Sequence, residues 1–187
     1  LAPDRAAAYA YRARLLRRNG NTAGAAEMDA AAATRAAGAS KIAEIAEVLQ
    51  SEQRFPAAER LLKAVVQNEP NNARVLNLLG RSQLANGEIT DAIASLKASL
   101  GGDLTNFDTY SRLASAYLRV SDLANSENIL LRGSRFAHNY AKPVLARQFE
   151  QLGDAYLKAG KENEARRSYK LALTYQPERE TVLAKLK

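Results

Sequence analysis

The chain has 187 residues, 47% of them hydrophobic, and contains no cysteine. This length and composition suit a folded chain with a continuous core, and they exclude disulfide and thiolate chemistry. Its 27 Lys and Arg residues exceed its 20 Asp and Glu residues, but the net charge of +7 is scattered and interleaved with acids, unlike the clustered basic face of a nucleic-acid binder.

The first predicted helix pair covers residues 5–38, in a chain rich in the helix formers Ala, Leu, Glu, Lys and Arg. Tyr9 and Leu15 belong to its first helix, Asn19-Gly20-Asn21 marks the turn, and Ala25 and Met28 belong to its second helix. We predict that this pair is a degenerate copy of the helix pair that follows it.

A period of 34 residues governs the next part of the chain. It repeats a large residue at Ile42, Leu76 and Tyr110 and a small residue four positions later in each copy. The pattern predicts helix pairs at 39–72, 73–106 and 107–140. We expect first helices near 40–53, 73–86 and 107–120, and second helices near 56–68, 89–100 and 123–136.

Residues 141–145 interrupt the period as an insertion. The next predicted pair covers 146–179, with helices near 144–159 and 162–175. Residues 180–187 are predicted to form a capping helix or the start of a further repeat, because Val182, Leu183 and Leu186 follow Pro177 at helical spacing.

The last full pair carries a recognisable motif. Phe149, Leu152-Gly153 and Tyr156 lie on its first helix, and Ala165, Tyr169 and Pro177 follow. This pair resembles the tetratricopeptide repeat (TPR), and the resemblance extends with less regularity over the earlier repeats. It implies an all-α fold, a right-handed α-solenoid of about five stacked antiparallel helix pairs, in a bacterial TPR protein or a TPR segment of a larger protein.

The sequence offers no catalytic, cofactor-binding or metal-binding residues. Its single histidine, His138, lies in the predicted loop between repeats, where a structural role is expected, and no glycine-rich phosphate-binding motif occurs. We therefore predict a protein that is not an enzyme and needs no cofactor.

In the TPR family the first helices line a concave groove, so the resemblance implies a partner-binding site on them. Arginines in the middle of this groove could bind carboxylates, whereas its far end is acidic. The predicted groove residues are Glu47, Gln50, Arg74, Asn77, Arg81, Ser111, Arg112, Ser115, Arg119, Arg147, Glu150 and Asp154.

These features predict a protein–protein interaction scaffold that binds a peptide or protein segment, with an acidic or carboxylate-bearing segment as one candidate. The alternatives are a targeting or regulatory TPR arm of a larger enzyme or of an assembly or secretion complex, and nucleic-acid binding as the least favoured; self-association is left open. No apolar run could span a bilayer, which predicts a soluble protein. The abundance of Ala and Arg suggests a bacterial source, with cytoplasm or periplasm as the compartment.

Overall fold

The computed structural model describes residues 6–35 and 38–186, which are helical throughout apart from turns and contain no strand. The expectation of an all-α chain built from helix pairs is confirmed. Within the described residues the α-helices are α1 Ala6–Arg18, α2 Thr22–Arg35, α3 Ala39–Ser51, α4 Phe55–Val66, α5 Ala73–Asn86, α6 Ile89–Gly102, α7 Phe107–Arg119, α8 Leu123–Gly133, α9 Lys142–Lys158, α10 Glu162–Tyr175 and α11 Glu180–Leu186.

The chain divides into two compact units, residues 1–102 and residues 103–187. Unit 1 contains three helix pairs, α1/α2, α3/α4 and α5/α6, and its first helices α1, α3 and α5 contact one another in succession. Unit 2 contains the pairs α7/α8 and α9/α10, followed by α11, which packs on α10. Residues 5, 36, 37 and 187, at the edges of predicted segments, lie outside the described residues.

The repeated apolar positions form the interior of each unit. Leu62 and Leu96 are fully buried and Leu130 is 2% exposed, each on the second helix of its pair. The small positions let the paired helices approach closely, since a Cβ atom on Gly80 would lie 2.5 Å from Leu96 Cγ. Burial of the same positions in each copy is why the 34-residue period is visible in the sequence.

Helix boundaries follow from local capping. Asn72 and Asn106 each accept a hydrogen bond from the backbone N–H three residues later, at 3.2 Å, and so begin α5 and α7. Gly87 ends α5 in the left-handed conformation, at φ 87°, which a residue without Cβ adopts at little cost.

Replacing Asn72 by alanine is expected to lower the free energy of unfolding by about 1 kcal/mol, because the amide of Val75 loses its cap. Chemical denaturation measures this, with Asn71→Ala as the matched control: Asn71 is exposed and lies one residue before the cap. Equal stability of the two variants would contradict the capping role.

The segment between α8 and α9 departs from the predicted boundaries. The second helix was expected to reach residue 136, but α8 ends at Gly133 and two 3₁₀ helices follow, Ser134–Phe136 and Asn139–Ala141. Helix α9 begins at Lys142, earlier than the expected residue 144, because Pro143 is accommodated in a first helical turn. Most of the predicted insertion, 141–145, therefore lies in α9.

Candidate partner-binding surfaces

The first-helix surface of unit 1 is formed by α3 and α5, which contact each other. Glu47 and Arg74 are exposed on it, with Arg74 Nη2 3.0 Å from Glu47 Oε1. Arg81 is half-buried and Asn77 is 7% exposed, and both make contacts inside the protein. Of the residues predicted here, Glu47 and Arg74 are thus the most accessible, and they form an ion pair.

Gln50, also predicted to face a partner, lies in the interior of unit 1. Its side chain is 2% exposed, and its Nε2 donates to the Leu78 carbonyl oxygen at 2.7 Å and to Ser82 Oγ at 2.8 Å. Both acceptors lie on α5, so this amide joins α3 to α5. Buried polar groups need such partners, and Gln50 therefore serves the packing of the unit.

A second glutamine acts in the same way in unit 2. Gln148 of α9 is 6% exposed, and its Nε2 donates to the Ser111 carbonyl oxygen at 2.8 Å and to Ser115 Oγ at 3.0 Å. Ser115 Oγ in turn donates to the Ser111 carbonyl oxygen at 3.0 Å. Ser111 and Ser115, both predicted groove residues, are thus bound to each other and to a residue that the sequence did not single out.

The arginines of the first helices in unit 2 differ in their surroundings. Arg112 Nε donates to Asp108 Oδ2 at 2.8 Å, one turn earlier on α7, and the Arg112 side chain is 24% exposed. Arg119, at the end of α7, and Arg147, on α9, are both exposed. Both guanidinium groups therefore reach the surface of unit 2, and Arg119 also makes a contact within the protein.

The acidic residues of α9 are neutralised within unit 2. Lys185 Nζ lies 3.0 Å from Glu150 Oε1 and 2.7 Å from Asp154 Oδ1, and Arg179 Nε lies 2.6 Å from Glu150 Oε2. Glu150 is only 8% exposed. The predicted acidic end of the groove is therefore occupied by basic side chains of α11 and of the turn before it. The sequence predicted this segment as a capping helix or the start of a further repeat and gave no role to its charges.

This ion cluster shifts the pKa of Glu150. Burial acts to raise the pKa of the carboxyl, but hydrogen bonds from Lys185 and Arg179 outweigh burial and lower it from 4.5 to about 2. Glu150 is consequently ionised at neutral pH with its charge compensated. Burial together with the hydrogen bond to Asp154 raises the pKa of Tyr169, which packs beside the cluster, to about 12.

In the part of the chain that the structure describes, no three His, Asp or Glu side chains are placed to hold a metal ion. No helix among residues 6–35 and 38–186 has both the length and the apolar character needed to cross a bilayer.

Two stretches of the chain, residues 44–108 and 149–179, match sequence profiles described as tetratricopeptide repeat. Together they cover slightly more than half of the 187 residues. No curated protein matches the chain.

Solved structures share its fold. The chain is 25% identical to MamA over 76% of its own length and 80% of the MamA chain, with a TM-score of 0.64. It is 13% identical to YrrB, described as a TPR protein with an unusual peptide-binding site, over 95% of this chain and 89% of YrrB, with a TM-score of 0.69. The C-terminal part of a TPR repeat-containing protein from Cytophaga hutchinsonii is 18% identical over 98% of this chain and 74% of that one, with a TM-score of 0.72.

Proposed function

This chain belongs to the tetratricopeptide-repeat family, and we propose that it is a protein-interaction scaffold whose first helices bind a peptide or protein segment. The observation that carries the proposal is the distribution of charge on those helices. Arg74, Arg119 and Arg147 are exposed, Arg74 within a surface ion pair with Glu47, whereas the carboxylates of Glu150 and Asp154 are held by Arg179 and Lys185 of the same unit. A likeness in fold to YrrB, itself described as binding a peptide, supports the same reading.

The preferred partner is a segment that carries carboxylates. Guanidinium groups bind carboxylates through charge-assisted, often bidentate hydrogen bonds. The net charge of +7 favours the approach of an acidic segment from a distance. Each unit presents its own first-helix surface, so each is tested separately.

The test begins with capture of a partner by the immobilised full chain, followed by affinity measurements on the purified complex. Two double variants remove arginines from one unit at a time: Arg74→Ala with Arg81→Ala in unit 1, and Arg119→Ala with Arg147→Ala in unit 2. We expect at least one variant to weaken binding by about tenfold, because it removes one or two charge-assisted contacts with the partner.

Matched controls are the exposed arginines of second helices, Arg60 on α4 and Arg166 on α10. Changing both to alanine removes the same charge and is expected to change the affinity by less than about twofold. If both first-helix variants bind as tightly as the unchanged chain, or if the control weakens binding equally, the first helices do not form the binding surface. Circular dichroism of each variant separates lost binding from lost folding.

A further inference from the structure

A pocket of about 330 Å³ lies in unit 2, between the amino end of α7 and the segment that joins α8 to α9. The aromatic residues Phe107, Phe136, His138 and Tyr140 line it, together with the acidic residue Asp108. Three of these rings belong to residues 134–141, where the chain departs from the 34-residue period. The pocket is thus a product of the segment that sets this repeat apart from the others.

One wall of the pocket is fixed by the core. The Phe136 ring stacks on the Tyr110 ring with centroids 5.7 Å apart. Tyr110 is 2% exposed, and its hydroxyl donates to the Leu104 carbonyl oxygen at 3.1 Å. Gly133 allows α8 to pass this ring, because a Cβ there would lie 2.4 Å from Tyr110 Cβ. Phe136 is therefore held in place before any ligand arrives.

Another part of the lining is an exposed aromatic pair. The rings of His138 and Tyr140 stack with centroids 5.8 Å apart and planes inclined by 25°. Tyr140 is 78% exposed, whereas Tyr110, Tyr156 and Tyr169 lie in the interior. A large ring exposed beside a pocket makes a flat surface on which a second planar group can stack.

The charge of the residues that line the pocket favours one class of ligand. Asp108 is the one acidic residue in the lining, which contains no Lys or Arg, and Arg112 outside the lining engages only its Oδ2 oxygen. Aromatic faces attract cations through their quadrupole. The amino end of α7 opposes this with partial positive charge, but Asp108 lies in its first turn and Asn106 caps the Thr109 amide.

We propose that this pocket binds the guanidinium group of an arginine side chain of a partner protein. The guanidinium plane stacks on the Tyr140 ring, which His138 backs, and its N–H groups donate to Asp108. The Asp108 side chain is 55% exposed and already accepts from Arg112 through one oxygen. The site does not rest on the proposed role of the first helices, since it takes a single basic side chain rather than an acidic segment.

The experiment uses the ¹⁵N-labelled full chain and N-acetyl-arginine methylamide as the probe, with amide chemical shifts as the readout. We expect millimolar binding with shifts concentrated in residues 105–111 and 136–144. The citrulline analogue, which has the same shape without the charge, is expected to bind about fivefold more weakly. Tyr140→Ala is expected to weaken arginine binding by about the same factor, and Asp108→Asn by about threefold.

Tyr11→Ala is the matched control, because Tyr11 is an exposed tyrosine of α1 in unit 1. It should leave probe binding unchanged, as should the Arg119→Ala, Arg147→Ala variant, which keeps this test independent of the first-helix proposal. Equal binding of the citrulline analogue, tighter binding of N-acetyl-glutamate methylamide, or shifts insensitive to Tyr140→Ala would each overturn the assignment.

Discussion

Replacing Gly153 by leucine is expected to lower the free energy of unfolding by about 1–3 kcal/mol, measured by urea denaturation. A Cβ at this position would lie 2.5 Å from Tyr169 Cε1 and 2.6 Å from Cδ1. The Tyr169 ring is 3% exposed, and its hydroxyl donates to Asp154 Oδ1 at 2.7 Å. The ring cannot move aside without losing that bond, so α9 and α10 must separate.

Gly101→Leu is the matched control for this substitution. Gly101 lies in the last turn of α6, and a Cβ there meets no atom within 4 Å. Its effect is expected to stay within about 0.5 kcal/mol. If Gly153→Leu unfolds at the same denaturant concentration as the unchanged chain, close approach of the paired helices is not what this glycine provides.

The fold could be predicted from the sequence because each helix pair buries apolar residues at equivalent positions, 34 residues apart. The first helix of the third 34-residue copy was expected near 107–120 and is observed as Phe107–Arg119, with Tyr110 and Leu113 buried as the pattern requires. Burial at regular intervals leaves a periodic pattern of apolar residues in the sequence, which helix propensity alone would not produce.

The segment after α8 could not be predicted because it does not repeat. Its course depends on contacts between residues distant in sequence, such as the stacking of Phe136 on Tyr110. The sequence indicated only a loop around His138, with no sign that its rings would line a pocket with Asp108.

The candidate site could be predicted only in outline. The sequence indicated which polar residues lie on the first helices, but it did not indicate the direction in which each side chain points. The Gln50 side chain is long enough to reach the Leu78 carbonyl of α5, and it points inward and donates a hydrogen bond to that oxygen. Arg147, in contrast, projects from α9 and remains exposed. The direction of each side chain depends on the residues that it contacts in the folded chain, and the 34-residue period carries no information about those contacts.

Replacing Glu150 by glutamine is expected to destabilise the protein at neutral pH by about 2 kcal/mol. The change leaves Arg179 and Lys185 without their shared carboxylate. A pKa lowered from 4.5 to about 2 corresponds to about 3 kcal/mol of stability. That figure is reduced because the side chains of Arg179 and Lys185 are 26% and 33% exposed and partly screened by water.

The pH dependence of this difference identifies its electrostatic origin. Because folding lowers the pKa of Glu150, its contribution is complete above its unfolded value of 4.5 and is lost as the pH falls towards about 2. The stability gap between the unchanged chain and Glu150→Gln should therefore close over that interval. Glu47→Gln breaks the exposed pair with Arg74 and should cost no more than about 0.5 kcal/mol throughout. A Glu150→Gln gap that is constant with pH would assign the loss to packing and contradict the role of the ion cluster.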